Sequence, residues 1–327
     1  MRAALVSALA VALAAALAGC DRAPKEPEKA SRADVAPTAP AAPPPPVQLP
    51  ARLTRPAPER LVAIADLHGD LEAVQKAFRL AGAVDARDTW IGGKLVVVQT
   101  GDVVDRGDDD KRILDWLDRV QAEAKAAGGE LILLLGNHEL MNVQGDFRYV
   151  TPGGFSAFGG GGPVATPAAA EGPEHARGRA AAFAPGGTYA KKLAAEHLVF
   201  VRVGRSVFIH GGILPKYVSS LVESDQGVHD WLLGQSKKPP ASVLDEDGLV
   251  WARDYSDKPK PVDCKHLDEV LARLDADRLV MGHTVQQAGI NDACGGKAWR
   301  IDVGMSRYYK GPVQVLEIRG SQVTPLK

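Results

Sequence analysis

Asp66, His68, Asp102, Asn137, His210 and His283 are all of metal-ligating or polar types, and each stands just after a short apolar run rich in β-branched side chains. The runs with their polar ends read RLVAIADLHGD (60–70), KLVVVQTGDVVDRG (94–107), ELILLLGNHELMN (130–142), SVFIHGGILP (206–215) and DRLVMGHTVQ (277–286). A lone loop histidine is usually structural or merely exposed. Four of the chain's eight, His68, His138, His210 and His283, fall at equivalent run ends beside a glycine or an acidic residue, which points to a shared task. Imidazole, carboxylate and amide oxygen together suit manganese, iron, zinc or cobalt rather than calcium. An EF-hand-like calcium loop in 102–110 fails on spacing, because no glutamate stands at its twelfth position.

The stretch QTGDVVDRGDDDKR (99–112) holds five aspartates and three bases, a density that in most proteins marks wet surface. Its position at the end of an apolar run argues otherwise for Asp102, Asp105 and Arg106. Asp108, Asp109 and Asp110 keep the solvated reading, as acidic residues suited to the N-terminus of the helix that follows.

Continuous apolar runs of this length predict strands buried on both faces. Between them lie helical patterns, DLEAVQKAFRLAG (70–82), stopped by Gly82, and DDKRILDWLDRVQAEAKAAGG (109–129). Strand and helix alternate, so the class is α/β, with a parallel sheet as the first expectation. Open α/β sheets place their ligand crevices at strand C-terminal ends, where all five polar clusters lie.

The chain has 327 residues, 45% of them hydrophobic, enough for a large buried core. Lys plus Arg (39) nearly cancels Asp plus Glu (40), and no basic block would track a phosphate backbone, so nucleic acid is not expected as a partner. The start, MRAALVSALAVALAAALAGC, reads as an export signal over 1–19, of lipoprotein type, leaving Cys20 lipidated as a membrane anchor. Asp21 is similar to an inner-membrane retention signal, which places the protein facing the periplasm. The alternative is an ordinary cleaved signal and a soluble periplasmic or secreted protein. Residues 20–58, rich in Pro and Ala, read as a semi-rigid tether, with the folded domain over 59–327. Cys264 and Cys294 form a disulfide or remain two free thiols; sequence leaves both open. The segment CGGKAWR has the spacing of cysteine-dependent phosphatases from Cys294 to Arg300. That chemistry needs a strand before the cysteine and a helix after it, and a strand-like WRIDVGM follows instead.

In their order, DLHGD, GDVVDRG, GNHE, HGG and GHT resemble the motifs of calcineurin-like metallophosphoesterases of the PPP type. LLGNHELMN, FAPGG (183–187) and VWARDYS (250–256) are similar to the bacterial-type, Shewanella-like subgroup. The resemblance covers roughly residues 60–310 and implies a β-sandwich of two mixed sheets flanked by helices, of which the parallel-sheet expectation captures only part. It also implies two divalent ions, with manganese favoured. Asp66 and His68 would bind the first, Asp102 would bridge, and Asn137, His210 and His283 would bind the second. Two such ions about 3.5–4 Å apart make a hydroxide available near neutral pH for in-line attack on phosphorus. In the same way His138 would be the general acid, Asp105 its partner, Arg106 the phosphate clamp, and Arg253 a candidate second clamp.

Ala65 replaces the glycine usual before the first ligand and leaves the metal-binding side chains intact. Residues 143–187 form a long insertion, expected as a partly mobile cap, with Arg148 and Tyr149 at its start as candidates for substrate contact. The expected substrate is a phosphorylated protein or peptide, or a small phosphoester. A dinucleoside polyphosphate hydrolase shares most of the motifs, and a catalytically inactive, metal-stabilised binding module would predict a broken ligand set.

Overall fold

A computed structural model describes residues 45–159 and 174–327. The expected signal peptide, Cys20, most of the tether and the middle of the 143–187 insertion lie outside the described residues. Two six-stranded sheets form the body. One is built from β2 (Leu61–Ile64), β3 (Val96–Gln99), β4 (Glu130–Leu134) and β5 (His197–Leu198), all parallel, with β11 (Val315–Arg319) and β12 (Gln322–Leu326) added antiparallel beyond β2. The other runs in the order β1 (Thr54–Arg55), β6 (Phe200–Val203), β7 (Ser206–Ile209), β8 (Arg278–Met281), β10 (Ala298–Arg300), β9 (Asn291–Ala293). Within it β7, β8 and β10 are mutually parallel, β6 pairs antiparallel with β7 and β9 antiparallel with β10, and β1 runs parallel to β6. The architecture is therefore the pair of mixed sheets flanked by helices, rather than one parallel sheet.

The reason lies in burial. Strands β2, β7 and β8 are buried at every position, and β3 and β4 at all but the first, so alternation could not distinguish their faces. Helix α1 (Leu71–Leu80) starts where Asp70 accepts the Ala73 N–H at 3.3 Å, and ends before Gly82, whose φ of 66° no continuing helix adopts. Helix α2 (Asp110–Ala126) returns the chain from β3 to β4, and α3 (Asn137–Gln144) starts directly at the GNHE motif. Among the described residues no helix is long and apolar enough to cross a membrane.

The domain boundary expected at residue 59 is too late. The folded body already includes Val47. Leu53 is fully buried, β1 pairs parallel with β6 through Thr54–Arg202 and Arg55–Val203, and the Val47 N–H donates to the Arg273 carbonyl at 2.8 Å. Pro-rich composition hid a two-residue edge strand, a place where proline does no harm because an edge has hydrogen-bonding groups to spare.

Cys264, in the helix Pro261–Arg273, is disulfide-bonded to Cys294, which follows β9 in a tight turn. The thiol is engaged and its surroundings are a hairpin, which removes the cysteine-phosphatase reading.

Candidate active site

Every ligand-type residue leaves the C-terminal end of a strand: Asp66 and His68 follow β2, Asp102 to Arg106 follow β3, Asn137 and His138 follow β4, His210 follows β7 and His283 follows β8. The turns needed to aim them inward are tight. His68, Asp102, Asp105, Arg106 and His283 all have left-handed φ, between 47° and 72°. Non-glycine residues seldom accept this conformation, and such strain persists where the surroundings fix it. A Cβ on Gly136 would overlap Asp102 Oδ1, so glycine there is what lets the Asp102 carboxylate lie against the start of α3.

Glu139, three residues into that helix, fastens the same corner. Its carboxylate accepts N–H groups from Gly136 (2.7 Å), Asp102 (2.9 Å) and Val103 (2.8 Å). The sequence signal was available, an acidic side chain three residues after the helix start, as in a capping box.

Three histidines share one orientation device. His210 Nδ1 lies 2.9 Å from the Thr100 carbonyl, His68 Nδ1 3.3 Å from the Val104 carbonyl, and His283 Nε2 3.2 Å from the Trp251 carbonyl. A backbone carbonyl can only accept, so each of these nitrogens carries the hydrogen and the other turns its lone pair inward. Around His210 Nε2 stand Asn137 Oδ1 at 2.9 Å, His283 Nδ1 at 3.1 Å and Asp102 Oδ2 at 3.2 Å. Nearby, His68 Nε2 lies 3.9 Å from Asp66 Oδ2 and 3.8 Å from Asp102 Oδ2.

Lone pairs crowded this way repel unless a cation sits among them. Burial, followed by the charges of Asp302 and Asp102, holds the Asp66 carboxyl well above its usual range. Burial lowers His68 to about 3 and takes His283 well below its ordinary value, so both imidazoles favour the neutral, ligating form. For His210 burial acts in the opposite direction to the Asp102 and Asp66 carboxylates, and these prevail, lifting it to about 9: the pocket attracts positive charge, proton or metal. The donor set fits divalent cations of the nitrogen-and-oxygen type.

Beside this cluster His138 Nδ1 is 2.7 Å from Asp105 Oδ2, both side chains buried. Burial alone would lower the His138 pKa, but the charges of Asp102 and Asp105 outweigh it and raise it. Arg106 Nη2 comes within 3.5 Å of His138 Nε2. The Arg106 guanidinium stacks on three aromatic rings, those of Tyr149 (4.5 Å), Tyr308 (5.0 Å) and Tyr309 (5.1 Å). Arg253 donates to the His283 carbonyl (3.1 Å) and Thr284 Oγ1 (2.9 Å). Among the described residues neither Arg106 nor Arg253 has a carboxylate within ion-pairing distance, which leaves both guanidinium charges open to an anion.

Two sequence readings change. Asp110 is fully buried and ion-paired with Arg179, so only Asp108 and Asp109 belong to the solvated part of the acidic run. The second described end of the 143–187 insertion packs into the body, since Arg179 and Phe183 are both fully buried. Of the two candidates at its start, Tyr149 joins the wall of the site, whereas Arg148 is exposed and paired with Asp146. Tyr308, Tyr309, Asp302 and Arg179 escaped sequence reasoning because they reach the site from outside the five motif loops.

Two mixed sheets, with carboxylates and inward-turned imidazoles at their strand ends, define a metallophosphoesterase. Residues 59–287 match the calcineurin-like phosphoesterase family, and the chain belongs to that family. It is 40% identical over 295 residues to Shewanella-like protein phosphatase 2 of Arabidopsis thaliana, covering 80% of this chain and 75% of the relative. It is 32% identical over 262 residues to Shewanella-like protein phosphatase 1 of Plasmodium berghei, covering 76% and 68%. Among solved structures, a cold-active protein tyrosine phosphatase superposes with a TM-score of 0.67 at 21% identity over 84% of this chain and 77% of its own, a likeness of fold. The chain is a metal-dependent phosphatase of this family.

Proposed function

We propose that the chain removes phosphate from phosphorylated proteins or peptides, using two divalent ions of which manganese is the first candidate and iron, zinc or cobalt the others. The observation that carries this reading is the convergence of Asn137, His283 and Asp102 on His210 Nε2, alongside a separate His138–Asp105 pair. Asp66, His68 and Asp102 would hold one ion; Asp102, Asn137, His210 and His283 would hold the other. When bound, such ions supply Lewis-acid activation of water and neutralise phosphoryl charge.

The remaining work falls to the chain's own side chains. Arg106 and Arg253 bind the phosphoryl oxygens, Arg106 held in place by its tyrosine stack. His138 gives the proton on Nε2 to the leaving oxygen as the P–O bond breaks. Asp105 keeps the hydrogen on Nδ1 and stabilises the imidazolium before transfer. Export, a lipid on Cys20 and residence on the periplasmic side of the inner membrane belong to the same proposal. Their support is the 1–21 sequence and the Cys264–Cys294 disulfide, which suits an oxidising compartment.

A panel of phosphopeptides, nucleotides and small phosphoesters assayed with Mn²⁺ tests the substrate class. Phosphate release from phosphopeptides and aryl phosphates is expected. Symmetrical cleavage of a dinucleoside polyphosphate with phosphopeptides untouched would overturn it in favour of the nucleotide hydrolase.

A further inference from the structure

Arg179 is the largest fully buried side chain described in the protein, and it comes from the insertion rather than from any motif loop. A buried guanidinium persists only if its charge and its N–H groups are met. Here Nε donates to Asn142 Oδ1 at 2.7 Å, Nη1 to the Gly154 carbonyl at 2.9 Å, and Nη2 to Asp105 Oδ1 at 3.1 Å, with Asp110 Oδ2 2.7 Å away. Its faces lie against the rings of Phe158, at 4.9 Å, and Phe183, at 5.1 Å.

The two oxygens of Asp105 are thereby divided between tasks. Oδ2 faces His138 Nδ1, while Oδ1 accepts from Arg179 and, at 2.9 Å, from Asn142 Nδ2. Asn142 Nδ2 also donates to the His138 carbonyl at 2.9 Å, and the Asp105 N–H donates to both oxygens of Asp110 at 3.1 Å. Backbone and side chain of Asp105 are thus fixed by one connected set of groups, at a residue whose φ of 72° is itself unfavourable. Without a cation at its centre, Asp105 and Asp110 would be two buried carboxylates facing each other.

We propose that Arg179 is the positioning residue of the proton donor: it holds the Asp105 carboxylate turned toward His138, so that the insertion which carries it sets the efficiency of leaving-group protonation. It touches neither substrate nor metal ligands and acts through Asp105. Lysine would keep the charge but lacks the fork that reaches Asp105, Asp110 and Asn142 together. The inference rests on the proposed role of His138 and goes beyond it.

Protonation matters for a poor leaving group and little for a good one, which separates this role from a general structural one. Phenyl phosphate and p-nitrophenyl phosphate should be compared at saturation in wild type, Arg179→Lys, and the double variant Arg179→Gln/Asp110→Asn, which removes the stranded carboxylate if the single change unfolds the protein. The expected result is a loss of kcat of about 10- to 100-fold on phenyl phosphate, a part of the roughly 10²–10⁴ supplied by a general acid, against less than about threefold on p-nitrophenyl phosphate, with KM little changed. Equal losses on the two esters in a folded variant, or no loss on either, would overturn the inference. His138→Asn in the same assay keeps the two levels apart. If it is leaving-group-selective and the folded Arg179 variants are not, only the role of Arg179 falls. If it is not selective, the His138 reading falls and this inference with it.

Discussion

Asp102→Asn is expected to lower kcat on an aryl phosphate by about 10³-fold with Mn²⁺ in excess, while leaving the protein folded. The carboxylate is the one group shared by both halves of the site: Oδ2 stands 3.2 Å from His210 Nε2, 3.8 Å from His68 Nε2 and 3.9 Å from His138 Nε2. The substitution removes one negative charge from a position where two cations would lean on it. Several kcal/mol of transition-state charge stabilisation depend on those ions, and about 4 kcal/mol corresponds to the stated loss. Folding should survive because Oδ1 accepts the His138 N–H at 2.9 Å, and an asparagine oxygen can take that bond. A variant within about tenfold of wild type would break the two-ion argument.

His138→Asn should lower kcat by roughly 10²–10⁴ on poor leaving groups and change the pH profile. Burial works against the imidazolium, but the charges of Asp102 and Asp105 raise the His138 pKa above its ordinary value. The group is therefore protonated below that raised pKa, and the activity it supports is lost as pH rises through it. The wild-type enzyme should show this falling limb on the alkaline side, and the variant should lack it. A variant that keeps the limb and the rate would assign the proton to another group.

Much of the site was legible because its logic is local. Each ligand-type residue follows directly on an apolar run, and a chain leaving a buried strand must turn at once, so type and position coincide at Asp66, Asp102, Asn137, His210 and His283. The sheet order was not legible from the same runs, since β2 and β7 look alike as wholly buried strands yet belong to different sheets. Nor was the inward turn of the imidazoles, which depends on the carbonyls of Thr100, Val104 and Trp251.

Composition misled in two places. Pro-rich residues before 59 concealed the buried Leu53 and the pairing of β1 with β6. Asp110 looked like its neighbours, but the cation that draws it inward, Arg179, stands far along the chain beyond a glycine-rich stretch. Long-range ion pairs of this sort leave no local pattern, so the contacts of Arg179 with Asp105 and Asp110 were not legible in the sequence.

Metal content against activity is the most direct test of the central claim. The full chain, stripped with a chelator and titrated with Mn²⁺, should be inactive when metal-free and recover phosphate release as about two ions bind per chain, both counted by elemental analysis. Full activity in protein carrying less than about a tenth of an ion per chain would contradict the account.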